Sequence, residues 1–184
     1  NGIPFNDAES HGTYWVNLPD FSSSVESLQV QRGVGTSTNG SGAFGSSINI
    51  LTDGIFEDPY AEISNSFGSY DSRKHTVKFS SGLLNDSFEI SGRLSKIDSD
   101  GYVDRAFSDL KSYFLQGAYK RGNTFLKALA FGGHEKTYQA WDGLSKEQIK
   151  ENRRQNPLTY ENEIDNYKQD HYQLHLNQKL NSKW

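Results

Sequence analysis

The sequence predicts an all-β protein, an antiparallel meander of hairpins, and three observations carry that expectation. Apolar and polar residues alternate with period two over long stretches, which sends the two sets to opposite faces of a sheet. The segments between those stretches read as turns and loops that alternate in length. The composition joins turn formers to aromatics: 17 Gly, 10 Tyr, 11 Phe and 3 Trp in 184 residues, a mixture that favours strands and tight connections.

Residues 1 to about 55 are rich in Gly, Ser and Asn, with the apolar bursts "SVESLQVQRG" and "SSINILT". They read as two short strands around a glycine loop. "DGIFEDP" (53–59) closes this region, with Pro59 as punctuation. Six strands follow, at about 60–68, 73–83, 87–97, 110–121, 124–136 and 167–180. In "SFEISGRLS" (87–95), Phe88, Ile90 and Leu94 share one phase, while Glu89, Ser91 and Arg93 share the other. In "HYQLHLNQKL" (171–180), Tyr172, Leu174 and Leu176 alternate with His171, Gln173 and His175. "HTVKFSSGL" sets Val77 and Phe79 against Thr76 and Lys78. "SYFLQGAYK" and "TFLKALAF" carry apolar residues in both phases. Within 137–166, "LSKEQIKENRRQ" reads as a short surface helix, with Ser145 as N-cap and Gln148 three residues on, a capping box.

The connections at 68–72, 83–87 and 121–123 are short, 98–109 is medium and 137–166 is long. After the first, tight turns and longer loops take opposite ends of the sheet. Outer-membrane barrels separate their connections in this way. The strands also exceed the usual length of about 5–6 residues and suit a tilted membrane crossing.

Composition excludes several chemistries. The chain has no Cys, hence no disulfide, zinc-thiolate site or thiol nucleophile. A net charge of −4 gives a nucleic-acid role no support. No run of about 18 apolar residues exists for a transmembrane helix. The chain contains no Met and is read as a piece of a longer polypeptide, with any signal peptide out of view.

Gly40-Ser41-Gly42-Ala43-Phe44-Gly45 is a literal G-x-G-x-x-G. A dinucleotide fingerprint needs a helix after the glycines. "SSINILT" instead predicts a second strand, so the glycines read as a loop between strands. No Lys-Ser/Thr follows for a P-loop.

The run "SVESLQVQRGVGTSTNGSGAFGSSINILT" (24–52) resembles the C-terminal half of the plug domain of TonB-dependent outer-membrane transporters. The family reads, roughly, Ile-Glu-x-Ile-Glu-Val-x-Arg-Gly, a small-residue loop, then Gly-Ala-x-Gly-Gly-x-Ile-Asn-Ile-x-Thr. Val25-Glu26-Ser27-Leu28, Val30, Arg32-Gly33, Gly42-Ala43-Phe44-Gly45, Ile48-Asn49-Ile50 and Thr52 carry the match. "NGIPFND" is similar to the family's Asp-Gly-Val-Pro segment, with Asn1 at the Asp position. Gln29, Val34 and Ser46 depart from the pattern. The resemblance implies that residues 1–55 are part of an α+β plug and that 56–184 hold about six strands of an incomplete barrel. It implies a bacterial outer-membrane location, a TonB-type energy-coupling partner and lipid contact. The implied substrate is a small molecule or metal chelate, a ferric siderophore first. A soluble β-sandwich binding module, carbohydrate-binding or adhesin-like, is the alternative.

In that family the Arg of Arg-Gly latches the plug to wall glutamates, which makes Arg32 the latch candidate. Substrate-facing candidates are His11, Tyr14, Trp15, Ser37, Thr38, Asn39 and Gly40 on plug loops, with Tyr138 and Trp141 on the long loop. Asp98, Asp100 and Asp104 around Gly101 suggest a calcium loop but lack the EF-hand's terminal Glu. His171 and His175 are roughly 13 Å apart on a strand, too far to share one ion. No catalytic constellation and no cofactor site emerge, so the chain is expected not to be an enzyme. An isolated open sheet is expected to self-associate through its edges.

Overall fold

The computed structural model of the chain describes residues 1–6, 10, 12–35, 39–40, 43 and 45–180. Strands account for 53% and helices for 8%, so the fold is all-β, and every strand pairing is antiparallel. The chain forms two compact units: Asn1–Thr13 with Phe21–Gly54, and Tyr14–Asp20 with Ile55–Trp184. Tyr14–Asp20 therefore groups with the second region, although it lies inside the stretch that the sequence pattern assigns to the first.

In the first unit, β1 (Val25–Arg32) pairs with β2 (Ser46–Thr52). Val30 faces Ile48 and Leu28 faces Ile50. Gly33 N donates to Gly45 O at 2.9 Å and Gly35 N to Ala43 O at 2.7 Å, carrying the ladder into the connecting loop. Gly33 and Gly40 take φ of 81° and 77°, where a Cβ would be strained. At the far end, Asn1 clips β2: its Nδ2 donates to Thr52 Oγ1 at 3.0 Å and its Oδ1 accepts from Thr52 N at 3.1 Å. A 3-10 turn at Phe21–Ser24 precedes β1. Among the described residues this unit has no α-helix, so the helical half of an α+β plug has no counterpart there.

The second unit is one six-stranded sheet: β3 (Pro59–Phe67), β4 (Arg73–Ser81), β5 (Phe88–Ser99), β6 (Ser108–Arg121), β7 (Thr124–Tyr138) and β8 (Ile164–Gln178). Spatial order equals chain order, and β3 and β8 are its edges. The sheet is open, with no closed barrel. Connections at the two ends differ. Residues 68–72, 100–107 and 139–163 lie at one end, and 82–87 and 122–123 at the other. The long connection is shorter than its sequence pattern suggests, because pairing continues up to Tyr138↔Ile164. It contains α1 (Lys146–Glu151), whose capping box is formed: Gln148 N donates to Ser145 Oγ at 3.2 Å and Ser145 N to Gln148 Oε1 at 2.8 Å.

The register sorts the side chains into two faces. One carries Ala61, Ile63, Val77, Phe79, Phe88, Ile90, Leu94, Leu115, Leu126, Ala128, Ala130, Tyr172, Leu174 and Leu176. The other carries Lys74, Thr76, Lys78, Ser80, Glu89, Ser91, Arg93, Ser95, Ser112, Gln116, Lys127, Glu135, His171 and Gln173. Burial runs opposite to that of a soluble sheet. Glu89 is 1% exposed and Arg93 2%, whereas Ile63 is 74% exposed and Leu174 69%. Phe114, Leu129 and Phe131 are the fully buried large apolar residues of the sheet on this face, and Phe114 and Phe131 stack at 5.9 Å. The exposed apolar set also drifts. Phe67 of β3 is level with Asn166 of β8, Ile63 with Asp170 and Ala61 with Tyr172, and the apolar set of β8 continues away from the long-loop end through Leu174 and Leu176.

Candidate functional site

The buried polar face is the candidate site, and alternation builds it. Six polar side chains of β5 and β6, Glu89, Ser91, Arg93, Ser95, Ser112 and Gln116, are buried, and each needs a partner once removed from water. Ser80 Oγ donates to Glu89 Oε1 at 2.8 Å, and Gln116 Nε2 donates to Glu89 Oε2 at 3.3 Å. Arg93 Nη1 donates to Ser112 Oγ at 2.9 Å.

The charge of Arg93 is met from outside the sheet. The segment Tyr14–Asp20 begins with a 3-10 turn at Trp15–Asn17 and brings the Asp20 carboxylate onto the polar face. Asp20 Oδ2 lies 3.1 Å from Arg93 Nη1 and accepts from Ser95 Oγ at 2.6 Å and Thr76 Oγ1 at 3.3 Å. Its Oδ1 accepts from Lys74 Nζ at 2.5 Å. Both Asp20 and Arg93 side chains are nearly water-free, while Lys74 is about a third exposed. The arrangement is one carboxylate clamped by two cations and two hydroxyls across three residue rows of β4 and β5. Charge-assisted bonds of this kind are roughly twice as strong as neutral ones.

Gly133 lets the segment approach. A Cβ at that position would sit 2.5 Å from Pro19 Cδ and 2.6 Å from Asn17 O. Leu18 and Pro19 are buried there. One residue row further, Glu135 is 1% exposed, and neither of its carboxylate oxygens has a hydrogen-bond partner among the described residues.

At the long-loop end, three connections pack on one another. Tyr70 and Tyr102 meet edge to face at 5.5 Å, and the Arg154 guanidinium lies 5.8 Å from the centre of the Tyr70 ring. Asn156 is buried, with Nδ2 donating to Asp104 O at 3.1 Å and Gln139 O at 3.0 Å. Arg105 Nη2 donates to the carbonyls of Asn156 and Leu158 at 3.1 and 2.5 Å. The loop 139–163 is thus tied to 100–107 by side chains that bond backbone, which gives a long connection a defined course.

The candidates read from the sequence fall as follows. Arg32 ends β1 opposite Ser46, is exposed, and forms no ion pair among the described residues. Asn39 Nδ2 donates to Ser47 Oγ at 3.1 Å and, with Gly40, belongs to the first unit. Tyr14 and Trp15 are exposed and belong to the second. His11, Ser37 and Thr38 lie outside the described residues. Trp141 is 76% exposed. Tyr138 is buried, and its hydroxyl donates to Tyr160 O at 2.6 Å and Leu158 O at 3.2 Å, which makes it an anchor of the loop rather than a surface contact. Asp98 pairs with Lys96 at 3.0 Å and Asp104 with Arg154 at 3.6 Å. No group of three or more metal-binding side chains occurs among the described residues. His171 stacks on Phe131 at 4.9 Å. The G-x-G-x-x-G leads into β2, a strand, as its sequence indicates.

Asp20 is the main residue that the sequence does not single out. The available signal was Arg93, an arginine among serines in the polar phase of β5, which calls for a carboxylate from elsewhere. No family model matches the chain, and no curated protein matches it.

Proposed function

We propose that the chain is part of an outer-membrane active transporter of the TonB-dependent type, which binds a scarce substrate outside the cell and imports it. A ferric siderophore is the first candidate substrate. The observation that carries this reading is the inverted sheet: charged and hydroxyl side chains buried on one face, a band of apolar side chains exposed on the other. Lipid against the apolar band and a polar lumen behind it account for both at once. The segregation of short and long connections to opposite ends supports the same reading, as does the resemblance of residues 24–52 to a plug. On this reading substrate meets the long-loop end, and a TonB-type partner supplies the energy that shifts the plug.

The Asp20 clamp fits such a cycle. An ion pair holding a short N-terminal segment to the wall is a contact that a pulling force can break and that re-forms without covalent change. Cell fractionation with heat-modifiability tests the proposal. The full-length protein should co-sediment with outer membranes and migrate faster in gels before boiling than after. Recovery as a freely soluble periplasmic or cytosolic protein, with no heat-dependent shift, overturns it in favour of a soluble β-sandwich module.

A further inference from the structure

The docked Tyr14–Asp20 segment involves two carboxylates with opposite surroundings. Asp20 accepts from Lys74, Ser95 and Thr76 and lies 3.1 Å from Arg93 Nη1. Glu135 is 1% exposed, has no hydrogen-bond partner at either carboxylate oxygen, and forms no ion pair among the described residues. Gly133, two residues earlier on the same face of β7, is the floor on which Asn17 and Pro19 rest. The 3-10 turn Trp15–Asn17 lies against β7 and β8. One face of an open sheet is dry only where another element lies on it, and over this part of β7 that element is the segment.

Among the described residues, no cation faces Glu135. From β6, Leu110 is directly opposite, with Ser108 and Ser112 diagonal to it, and Asp109 and Lys111 alternate to the other face. From β8, Tyr167 is opposite, with Asp165, a like charge, and Gln169 diagonal. On β7 itself, Gly133 and Thr137 share its face, while His134 and Lys136 point the other way. The segment brings only the Tyr14 hydroxyl and the second carboxylate, Asp20. Lys74 is level with Glu135 across β5 and β6, but it is three strands away, about 14 Å, and is bonded to Asp20. At the long-loop end, Arg105 is taken by the carbonyls of Asn156 and Leu158. A carboxyl group held from water with neither cation nor donor neutralises instead of staying charged.

We propose that the Tyr14–Asp20 segment docks by taking up one proton at Glu135 while Asp20 stays ionised, so that it is held over a bounded span of pH and released on either side. Undocked, Glu135 meets water and titrates as an ordinary glutamate, at about 4.3. Docked, it is held in its neutral form, because a charge there has no partner. Docking is therefore strongest where Glu135 is already neutral and weakens as pH rises above that value, by up to about tenfold per pH unit for one proton. On the acid side, protonating Asp20 removes the charge that Arg93 and Lys74 meet. The proton passes between Glu135 and bulk water, and no bond of the chain breaks. The inference concerns the polar face alone and does not depend on what covers the apolar one.

The test places a nitroxide at Val16→Cys in the full-length protein in detergent micelles. Val16 is half exposed in the docked turn, and the chain has no cysteine of its own. Electron paramagnetic resonance then reads the immobile, docked fraction from about pH 5 to about pH 9. On an otherwise unaltered chain, the docked-to-open ratio should fall at least about tenfold towards the alkaline end. Glu135→Gln and Glu135→Leu, both neutral, should stay docked there and keep the acid-side release. Asp20→Asn should be open throughout. Infrared difference spectra of the unlabelled wild type against Glu135→Gln, taken about one unit above the ordinary glutamate value, should show one carboxylic-acid carbonyl band that the variant lacks. Equal alkaline release with Glu135 and with Gln at that position, a docked fraction that does not change with pH, or a docked state without the carboxylic-acid band overturns the proton switch. A label that is mobile at every pH overturns the docked segment and the switch with it.

Discussion

Asp20→Ala is the most informative single change, because it removes one side of a buried pair and Asp20 itself lies in no strand. In the wild type the Asp20 and Arg93 side chains are 2% and 3% exposed and lie 3.1 Å apart. Breaking a buried pair from one side costs about 3–5 kcal/mol, since the remaining charge loses its counterpart away from water. Arg93 keeps the bond to Ser112 at 2.9 Å, which moves the expectation to the low end. Lys74 is about a third exposed, so its share is about 1 kcal/mol or less. A loss of about 3 kcal/mol corresponds to a roughly 150-fold larger open population of the Tyr14–Asp20 segment. Limited chymotrypsin digestion of the folded protein reads that population at Tyr14, Trp15 and Phe21, provided that opening and closing outpace cleavage. Arg93→Gln and the double variant complete a cycle. The double should cost at least about 1 kcal/mol less than the two singles added together. Cleavage of Asp20→Ala within twofold of the wild type, or strict additivity in the cycle, would refute the claim that this pair holds the segment.

Three further outcomes follow from the same geometry. Gly133→Val should undock the segment without touching the ion pair, because the new Cβ meets Pro19 and Asn17 at 2.5 and 2.6 Å; about 1–3 kcal/mol is the usual cost of such overpacking, and the same digestion reads it. Asn156→Ala removes two bonds from a buried amide to the carbonyls of Asp104 and Gln139 and should raise cleavage within 139–163 through a loss of about 1–3 kcal/mol, with Tyr138→Phe acting in the same direction by about 1 kcal/mol. Leu174→Arg separates the two functional readings: on a lipid-facing surface it should cost about 2–4 kcal/mol in folding titrations with lipid vesicles, whereas at an exposed position of a soluble sheet it should lie within about 0.5 kcal/mol of neutral.

The strands were legible because period two survives in β4, β5 and β8, where Val77, Phe88, Ile90 and Leu174 alternate cleanly with polar residues. β6 and β7 were less so, since Phe114, Leu129 and Phe131 are apolar residues on the polar face. Their pairing with each other, not alternation, sets their facing. The capping box at Ser145 and Gln148 was legible because it spans three residues. The clamp was not, because Asp20 and Arg93 are separated by 73 residues and "NLPDF" carries no periodic signal. Tyr138 was misleading for a related reason. An aromatic next to a long loop looks the same in sequence whether its hydroxyl faces solvent or, as here, the carbonyls of Leu158 and Tyr160.

Nearest-neighbour strand order has a kinetic consequence. Each strand from β4 to β8 adds to an edge that its immediate predecessor has just presented, so each pairing can start at its own connection and close outward from there. The Asp20 clamp is the exception. Its two sides are far apart in the chain, and the Thr76, Ser95 and Lys74 positions that receive the carboxylate exist only after β4 and β5 have paired. It is therefore expected to be a late contact, and a φ-value near 0 for Asp20→Ala is the check. Contacts of that kind leave folding speed nearly unchanged and set how slowly the native state comes apart. The clamp acts as a brake on opening, and whatever releases Asp20 governs how long the N-terminal segment stays in place.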